Sequence, residues 1–505
     1  MAASIIRLRN TKSAHQAIGK VRHLKNLIRQ QGLVPLAVFL VLVLPTGLYL
    51  AFNVPAMWAP DGGAHVARVF QIAEGGIRPV FINHEHGIGY GGAIPLNVND
   101  LKTVELNIVS NSGVPGAERQ TKLLSPQDKS TIAQISKQKI SKQRILISYV
   151  NTAAYSPVAY LPNLVGVVIG KHLNFNLGHT LLLAGLLGFI TYILCAGYAL
   201  FTLKNSQLKW AVMAVALLPL TVFQTTVITA DSFLISVSVL FSALIIKGLL
   251  SGSRLTTADK ILLSGCVLML PLVKSVYFPL VFLVLFIPKK QWSNQSSYWL
   301  WTGPALVIST IGFAVWSGLT ADVAASNGLV RGDMLWHYGD AKIQEHFIIK
   351  HPIGFLHATV DTLIYQGKFI TDTYFSWLGF TYLPIPGLAQ ISGFLALGLS
   401  VLLAGKTRVK KYIPGILTGF LLLVVLLIFA LFYIAFTLPM NSVVEGVQGR
   451  YFLPLTVLLI ATLAASFPKL RIADSGLDNA KLMLISLSAF CLLFSVIRYG
   501  LAIAG

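Results

Sequence analysis

Three residues able to handle protons and charge fall at helical spacing in Ala59-Pro60-Asp61-Gly62-Gly63-Ala64-His65-Val66-Ala67-Arg68. If a helix begins at Asp61, then Asp61, His65 and Arg68 occupy i, i+4 and i+7 and share one face. A carboxylate that can accept a proton would then meet an imidazole and a guanidinium. Asp61 also suits a second role, because an Asp at a helix start can cap it by accepting backbone N–H bonds. Three other polar segments stand where apolar runs begin or end: Thr229-Ala230-Asp231-Ser232, Lys274-Ser275-Val276-Tyr277 and Gln448-Gly449-Arg450-Tyr451. Ionisable residues at membrane depth are costly and mark a site or an ion pair, although each alone also reads as a snorkelling anchor. With Asp61 they make two acids and two bases on one membrane side.

The elements that must position these groups are membrane helices. The 505-residue chain is 55% hydrophobic and 11% charged, with a mean hydropathy of +0.72, far outside soluble globular usage. Apolar runs of roughly 17 to 25 residues each fit one ~30 Å hydrocarbon crossing. They predict an all-α polytopic protein with about eleven spans, near 34–51, 178–202, 210–228, 232–250, 260–273, 276–288, 298–316, 387–405, 413–438, 452–467 and 482–503. The segments 260–273 and 276–288 are short enough to be tilted or half-buried. If 178–202 does not cross, a twelve-span arrangement using 156–170 replaces this one.

Orientation follows from Lys and Arg in short loops. The tail before residue 33 carries Arg7, Arg9, Lys12, Lys20, Arg22, Lys25 and Arg29 with no acid, and every second connection after it is basic. This predicts a cytoplasmic N-terminus in a multi-pass protein of the bacterial cytoplasmic membrane. The formal charge of +21 is then mainly a topogenic signal, helped by attraction to anionic lipid headgroups. No aromatic-basic patch or nucleic-acid module accompanies it, so nucleic acid is excluded as a partner. Cys195, Cys266 and Cys491 lie in apolar runs without pairing or metal-ligand spacing and read as core filler.

The chain divides into a basic tail (1–33), a membrane module (34–316) that includes an outer loop over 53–177, a second outer loop (317–386), and C-terminal membrane helices (387–505). A connection as long as the first is usually functional. Within it, 61–75 reads as a short amphipathic helix stopped at Gly75-Gly76, Gly87–Gly92 as loop, 126–146 as a polar surface helix, and 155–170 as an interfacial or re-entrant helix. The second loop carries Asp322, Arg331, Asp333, Trp336, His337, Tyr338, Asp340, Glu345 and His346, with a surface helix over 352–370. Its histidines lack metalloprotein spacing. Walker A, HExxH, CxxC and G-x-S-x-G sequences are all missing.

The segments Pro60 to His65 with Arg68 and Glu74-Gly75, Tyr155-Ser156-Pro157 through Pro162, Thr229 to Ser232, Val273 to Tyr277 with Pro279, and Gln448 to Phe452 with Pro454 together resemble a known family. It is the bacterial polytopic membrane family grouped as domain of unknown function 2142, related to GT-C glycosyltransferases. The resemblance implies a GT-C-like helical fold whose first outer loop carries an acidic catalytic residue over a lipid-facing groove. It also implies transfer of a sugar from a polyprenyl-phosphate donor to an extracytoplasmic lipid or cell-envelope glycan acceptor, with membrane lipids around it. Related proteins commonly carry Asp-Glu where this chain has Asp61-Gly62.

On that reading Asp61 is the base, and Asp231 orients the acceptor. Arg450 and Lys274 hold the donor phosphate, with Arg68 as a further cation. His65, Glu74, Tyr155, Tyr277, Gln448 and Tyr451 support them. Asp61 and Asp231 would also be the ligands of any divalent cation, Mg or Mn. The competing expectations are a transporter or flippase of lipid-linked glycans, with charge at mid-span, or a binding subunit that has lost catalysis with its second acid.

Overall fold

A computed structural model describes residues 32–84, 87–110, 125–326, 341–375, 378–379, 386–405, 409–438 and 440–504. The basic tail and the residues Arg331, Asp333, Trp336, His337, Tyr338 and Asp340 lie outside the described residues. Apolar composition and helical periodicity dictate most of what is described: α1 (Val34–Asn53), α2 (Gly62–Ala73), α3 (Leu96–Ser110), α4 (Leu161–His172), α5 (Leu177–Thr202), α6 (Ala230–Ile245), α7 (Thr257–Val273), α8 (Gln295–Leu319), α9 (Gly387–Leu403), α10 (Tyr412–Phe436), α11 (Leu453–Ser466) and α12 (Leu477–Ala504) are the principal helices.

Seven helical segments are long and apolar enough to cross a membrane, and an eighth is formed if Lys209–Ala216 and Pro219–Thr226, bent by 63°, count as one. Three of the expected eleven segments are shorter than these. Segment 260–273 lies in the 17-residue α7, segment 387–405 is the 17-residue α9, and 276–288 is a 3₁₀ helix, Ser275–Phe286. The break at 217–218 has a local cause, because Pro219 lacks an N–H and disfavours helical geometry in Leu218, whose φ and ψ are −62° and 136°. Segment 155–170 becomes a short 3₁₀ turn, Pro157–Tyr160, running into the 12-residue α4.

Ala230–Leu250 is the axis of the bundle, with 94% of its apolar window buried inside the protein, and Gly449–Ser466 follows at 78%. Gln295–Leu319 is the opposite case at 17%, leaving Leu300, Val307, Ile308 and Ile311 on its outer surface to face acyl chains. Hydrocarbon gives helices little hydrophobic reason to associate, so close packing of small residues takes over. Gly166 on α4 shows this: a Cβ there would lie 2.5 Å from Ala184 Cα on α5, and one turn away Asn163 Nδ2 donates to the Ala184 carbonyl at 2.9 Å.

The long first loop is not purely helical. β1 (Val80–His84), β2 (Gly87–Pro95) and β3 (Arg144–Ser148) form a three-stranded antiparallel sheet in that order, with Phe81 opposite Tyr90 and Gly91 opposite Ser148. Gly87–Gly92 is therefore strand rather than the expected loop. It is the central strand, paired along both edges by backbone hydrogen bonds that need no side chain. The expected helix 126–146 ends at Lys137 and gives way to β3.

In the second loop, Asp322 pairs with Arg78 at 2.7 Å, while Glu345 and His346 lie on a helix, Ala341–Lys350. Cys266 and Cys491 are buried and Cys195 is half-buried, all unbridged.

Gly166→Leu should separate α4 from α5 and lower the denaturation midpoint in detergent, a loss of about 1–3 kcal/mol. Gly265→Leu, where an added Cβ meets nothing within 4 Å, should leave it unchanged. Equal midpoints would remove the close-packing argument.

Candidate functional site

The chain leaves α1 and reaches α2 through two tight turns, closed by Trp58 N–H donating to Pro55 O at 3.0 Å and Gly62 N–H to Ala59 O at 2.8 Å. Asp61 stands at the junction with φ 57° and ψ 19°, in the left-handed region. That conformation costs a non-glycine residue about 1–2 kcal/mol and concentrates at functional positions. Asp61 occupies the N-cap position, yet its side chain makes no capping hydrogen bond. Its Oδ1 accepts from Asn151 Nδ2 at 3.0 Å and its Oδ2 from Arg450 Nη2 at 3.1 Å. The capping role is thereby overturned.

Gly62 has a steric cause. A Cβ on residue 62 would lie 2.3 Å from the Met57 carbonyl oxygen, in the turn just before the one that holds Asp61. An acid at this position would displace the turn.

Arg450 is the hub. It stands in a 3₁₀ turn, Gly449–Phe452, leading into α11, and the turn is anchored by Gly449 N–H donating to Thr373 Oγ1 at 2.7 Å. Its guanidinium faces two carboxylates: Asp61 through Nη2, and Asp231 through Nη1 at 3.7 Å. Asp231 lies in the first turn of α6, where the helix dipole favours an anion, and its Oδ1 accepts from Lys274 Nζ at 2.6 Å. Lys274 ends α7. Two acids and two bases thus alternate as Asp61, Arg450, Asp231, Lys274.

Side-chain exposure is 5% for Arg450, 8% for Asp231 and 12% for Lys274, against 34% for Asp61. Asp61 is the one member of the four open to a reactant. Withdrawal from bulk water pushes its carboxyl pKa up, but Arg450, His65 and Asn151 outweigh that and hold it below the ordinary 3.8. It is ionised at neutral pH.

Aromatic rings wall the cluster. Lys274 Nζ lies 4.7 Å from the Tyr451 ring centroid and 5.7 Å from that of Tyr155, and Arg450 Cζ lies 5.1 Å from Tyr451. Tyr277 fixes the Tyr451 backbone by donating its hydroxyl to the carbonyl at 2.7 Å. His65 stacks on Tyr155 with centroids 5.7 Å apart, and its Nδ1 meets the Tyr160 hydroxyl at 2.7 Å. Burial drives its pKa down to about 4 despite Asp61 and Asp231, so it is neutral at pH 7. Gln448 brings a buried Oε1 that accepts no hydrogen bond among the described residues.

Two expected members lie elsewhere. Arg68 is fully buried and donates to the carbonyls of Tyr155 at 3.0 Å and Ile77 at 2.7 Å, which ties α2 to the loops on both sides. Because Asp61 is left-handed rather than helical, the expected shared face does not bring these two side chains together. Glu74 accepts two hydrogen bonds from Arg144, at 2.6 and 2.7 Å, and pairs with Lys171 at 3.0 Å, joining the end of α2 to β3 and α4. Asn151 and Tyr160 were missed. Asn151 lies 90 residues from Asp61 in sequence, and no periodicity links them.

The donor set does not fit a divalent cation. Asp61 and Asp231 are each held by a basic group, leaving no net negative charge to attract one, and among the described residues no group of three His, Cys, Asp or Glu side chains is placed to bind a metal.

The profile of a predicted membrane protein family, DUF2142, matches residues 44–459. The chain belongs to that family. No curated protein and no solved structure matches it.

Gly62→Glu, which restores a second acid in sequence, should lower stability by about 1–3 kcal/mol through overpacking at Met57. A denaturation midpoint equal to wild type would show that the turn yields.

His65 gives a second expectation. Its folded pKa of about 4 lies below the unfolded value of 6.5, so between these pH values the unfolded chain takes up a proton that the folded chain refuses. Stability should fall as pH drops through that window, by up to ~3 kcal/mol, and level off below it. His65→Gln should flatten the fall, and an unchanged slope in that variant would assign it to other groups.

Proposed function

We propose that the protein is a membrane glycosyltransferase that moves a sugar from a polyprenyl-phosphate donor to a lipid or cell-envelope glycan acceptor. The observation that carries this reading is the accessible, ionised Asp61 carboxylate joined through Arg450 to Asp231 and Lys274. The accompanying topology is GT-C-like. The N-terminus is cytoplasmic, the cluster faces the extracytoplasmic side of the bacterial cytoplasmic membrane, and the shorter apolar segments complete the crossings.

In the proposed reaction the acceptor hydroxyl oxygen attacks the anomeric carbon as its proton passes to Asp61. The bond from that carbon to the phosphate oxygen breaks, its electron pair leaves with the lipid phosphate, and the anomeric configuration inverts. A positioned base of this kind contributes about 10²- to 10⁴-fold. Arg450 and Lys274 supply positive charge to the leaving phosphate, and the planar guanidinium can present two N–H groups to it. The phosphate competes with the carboxylates for these cations, so donor binding and release of Asp61 from Arg450 are one event. Asp231 stands as the second carboxylate across the fold, in a role that position 62 has no room to fill. No step uses a metal.

Purified protein given a polyprenyl-phosphate sugar should release polyprenyl phosphate and glycosylate an acceptor. Asp61→Asn should lower turnover at least 100-fold while the protein still folds and still binds donor. Full turnover in Asp61→Asn would remove Asp61 from the chemistry. Donor binding without turnover in the wild type would replace the transferase with a lipid-glycan-binding subunit.

A further inference from the structure

A second polar site lies at the other end of the central helix. Asp231 begins α6, and Lys247 lies sixteen residues further along it, about 24 Å away at the rise of an α-helix. Beside Lys247 is a cleft of about 690 Å³, bounded by the end of α5 and the turn after it, the end of α6 with its following loop, and the end of α9 at Ala404 and Gly405. Two candidate spans end there, which puts the cleft at headgroup depth on the face opposite the Asp61 cluster.

Its charges are arranged unevenly. Lys247 is neutralised by Asp259 at 2.6 Å, and that carboxylate also accepts from Thr202, Tyr198 and Thr256. Lys209 is spent on backbone, donating to the carbonyls of Lys204 at 2.6 Å and Gly32 at 3.1 Å. Lys204 differs, because its ammonium has no hydrogen bond or carboxylate among the described residues and rests 4.8 Å from the Phe201 ring centroid. Among the described residues that line it, the cleft therefore carries one uncompensated positive charge. Asn205, Gln207, Ser251 and Ser253 line it with hydrogen-bond donors, and Phe201, which is 44% exposed, opens its wall toward the acyl region.

One positive charge, several neutral donors and an apolar wall at headgroup depth match a singly charged phosphodiester attached to acyl chains. We propose that this cleft binds the phosphodiester headgroup of an anionic phospholipid, with Lys204 pairing the phosphate and the amide and hydroxyl side chains around it donating to headgroup oxygens. The chemistry shared with any soluble ligand is the phosphodiester monoanion; the location selects the lipid. This site is independent of the transferase reading, since none of its residues touches Asp61, Asp231, Lys274 or Arg450.

The test titrates full-length protein in neutral detergent with three probes and reads the thermal melting midpoint. The probes are dihexanoyl-phosphatidylglycerol, dihexanoyl-phosphatidylcholine and acyl-free glycerophosphoglycerol. Phosphatidylglycerol should stabilise the wild type at the lowest concentration, and Lys204→Gln should weaken it about fivefold, the effect of one basic group beside an anionic headgroup. Ser251→Trp, which fills the cleft without removing charge, should also weaken it, and Lys290→Gln, a lysine outside the cleft, should not. Equal binding by Lys204→Gln and wild type would overturn the site. Equal binding of phosphatidylcholine would overturn the charge argument, and glycerophosphoglycerol binding as tightly as the lipid would overturn the lipid as its occupant.

Discussion

A charge withdrawn from water inside a membrane protein must find an opposite charge or a full set of polar partners, and the architecture around α6 depends on the first of these. Moving a lone carboxylate or guanidinium into a low-dielectric interior costs several kcal/mol even after relaxation. Asp231 at 8% and Arg450 at 5% side-chain exposure are tolerable only together, and each draws in a further partner, Lys274 and Asp61. Four segments far apart in sequence are thereby joined at one end of the bundle: the turn before α2, the start of α6, the end of α7 and the turn before α11. Removing one member of a buried pair costs about 3–5 kcal/mol, because the other is left uncompensated. The cluster is thus a structural clasp before it is anything else.

What separates it from a purely structural clasp is the state of Asp61. A residue recruited only to balance Arg450 would gain from an ordinary backbone and full burial. Asp61 has neither, since it holds a left-handed conformation and leaves a third of its side chain open. The two successive turns that impose this geometry also press residue 62 against the Met57 carbonyl and so select glycine there. The strain at 61 and the lack of a side chain at 62 are therefore one feature. Local strain of this kind persists only where its surroundings over-determine it, and here Asn151 and Arg450 fix the carboxylate from both sides.

The sequence revealed the charged members of this network more readily than the neutral ones. Asp61, Asp231, Lys274 and Arg450 were legible because an ionisable residue at the end of an apolar run is conspicuous. Arg68 and Glu74 looked equally conspicuous, but spacing cannot tell a cation aimed at a ligand from one satisfying backbone carbonyls, which is where Arg68 goes. Asn151 was invisible because a neutral polar residue in a long loop carries no periodic signal, and Tyr160 reads in the sequence only as an aromatic anchor at headgroup depth. The seven helices long and apolar enough to cross a membrane could be read from hydropathy. The sheet could not, because the half of its central strand that pairs with β1 is rich in glycine, and the other half pairs with β3, which follows only after two intervening helices. The 3₁₀ segment Ser275–Phe286 is more apolar than most of the spans, so hydropathy alone could not separate it from one.

The two ends of α6 show how one helix can serve different chemistry at each membrane face. At its start, two acids and two bases cancel, so the site carries no net charge and an incoming phosphate must displace a carboxylate to enter. That requirement favours a ligand whose binding is driven elsewhere, by a long apolar chain, with the phosphate exchanging into the cluster only after the chain has docked. At its far end, Lys247 and Asp259 cancel while Lys204 does not, and an anion can enter without displacing anything. Exchange at one face and simple pairing at the other follow from the count of charges alone. In the reaction we propose, the exchanging end is also the one that frees a strained, ionised Asp61 from Arg450 when the donor phosphate arrives, which couples exposure of the proposed base to occupancy of the site.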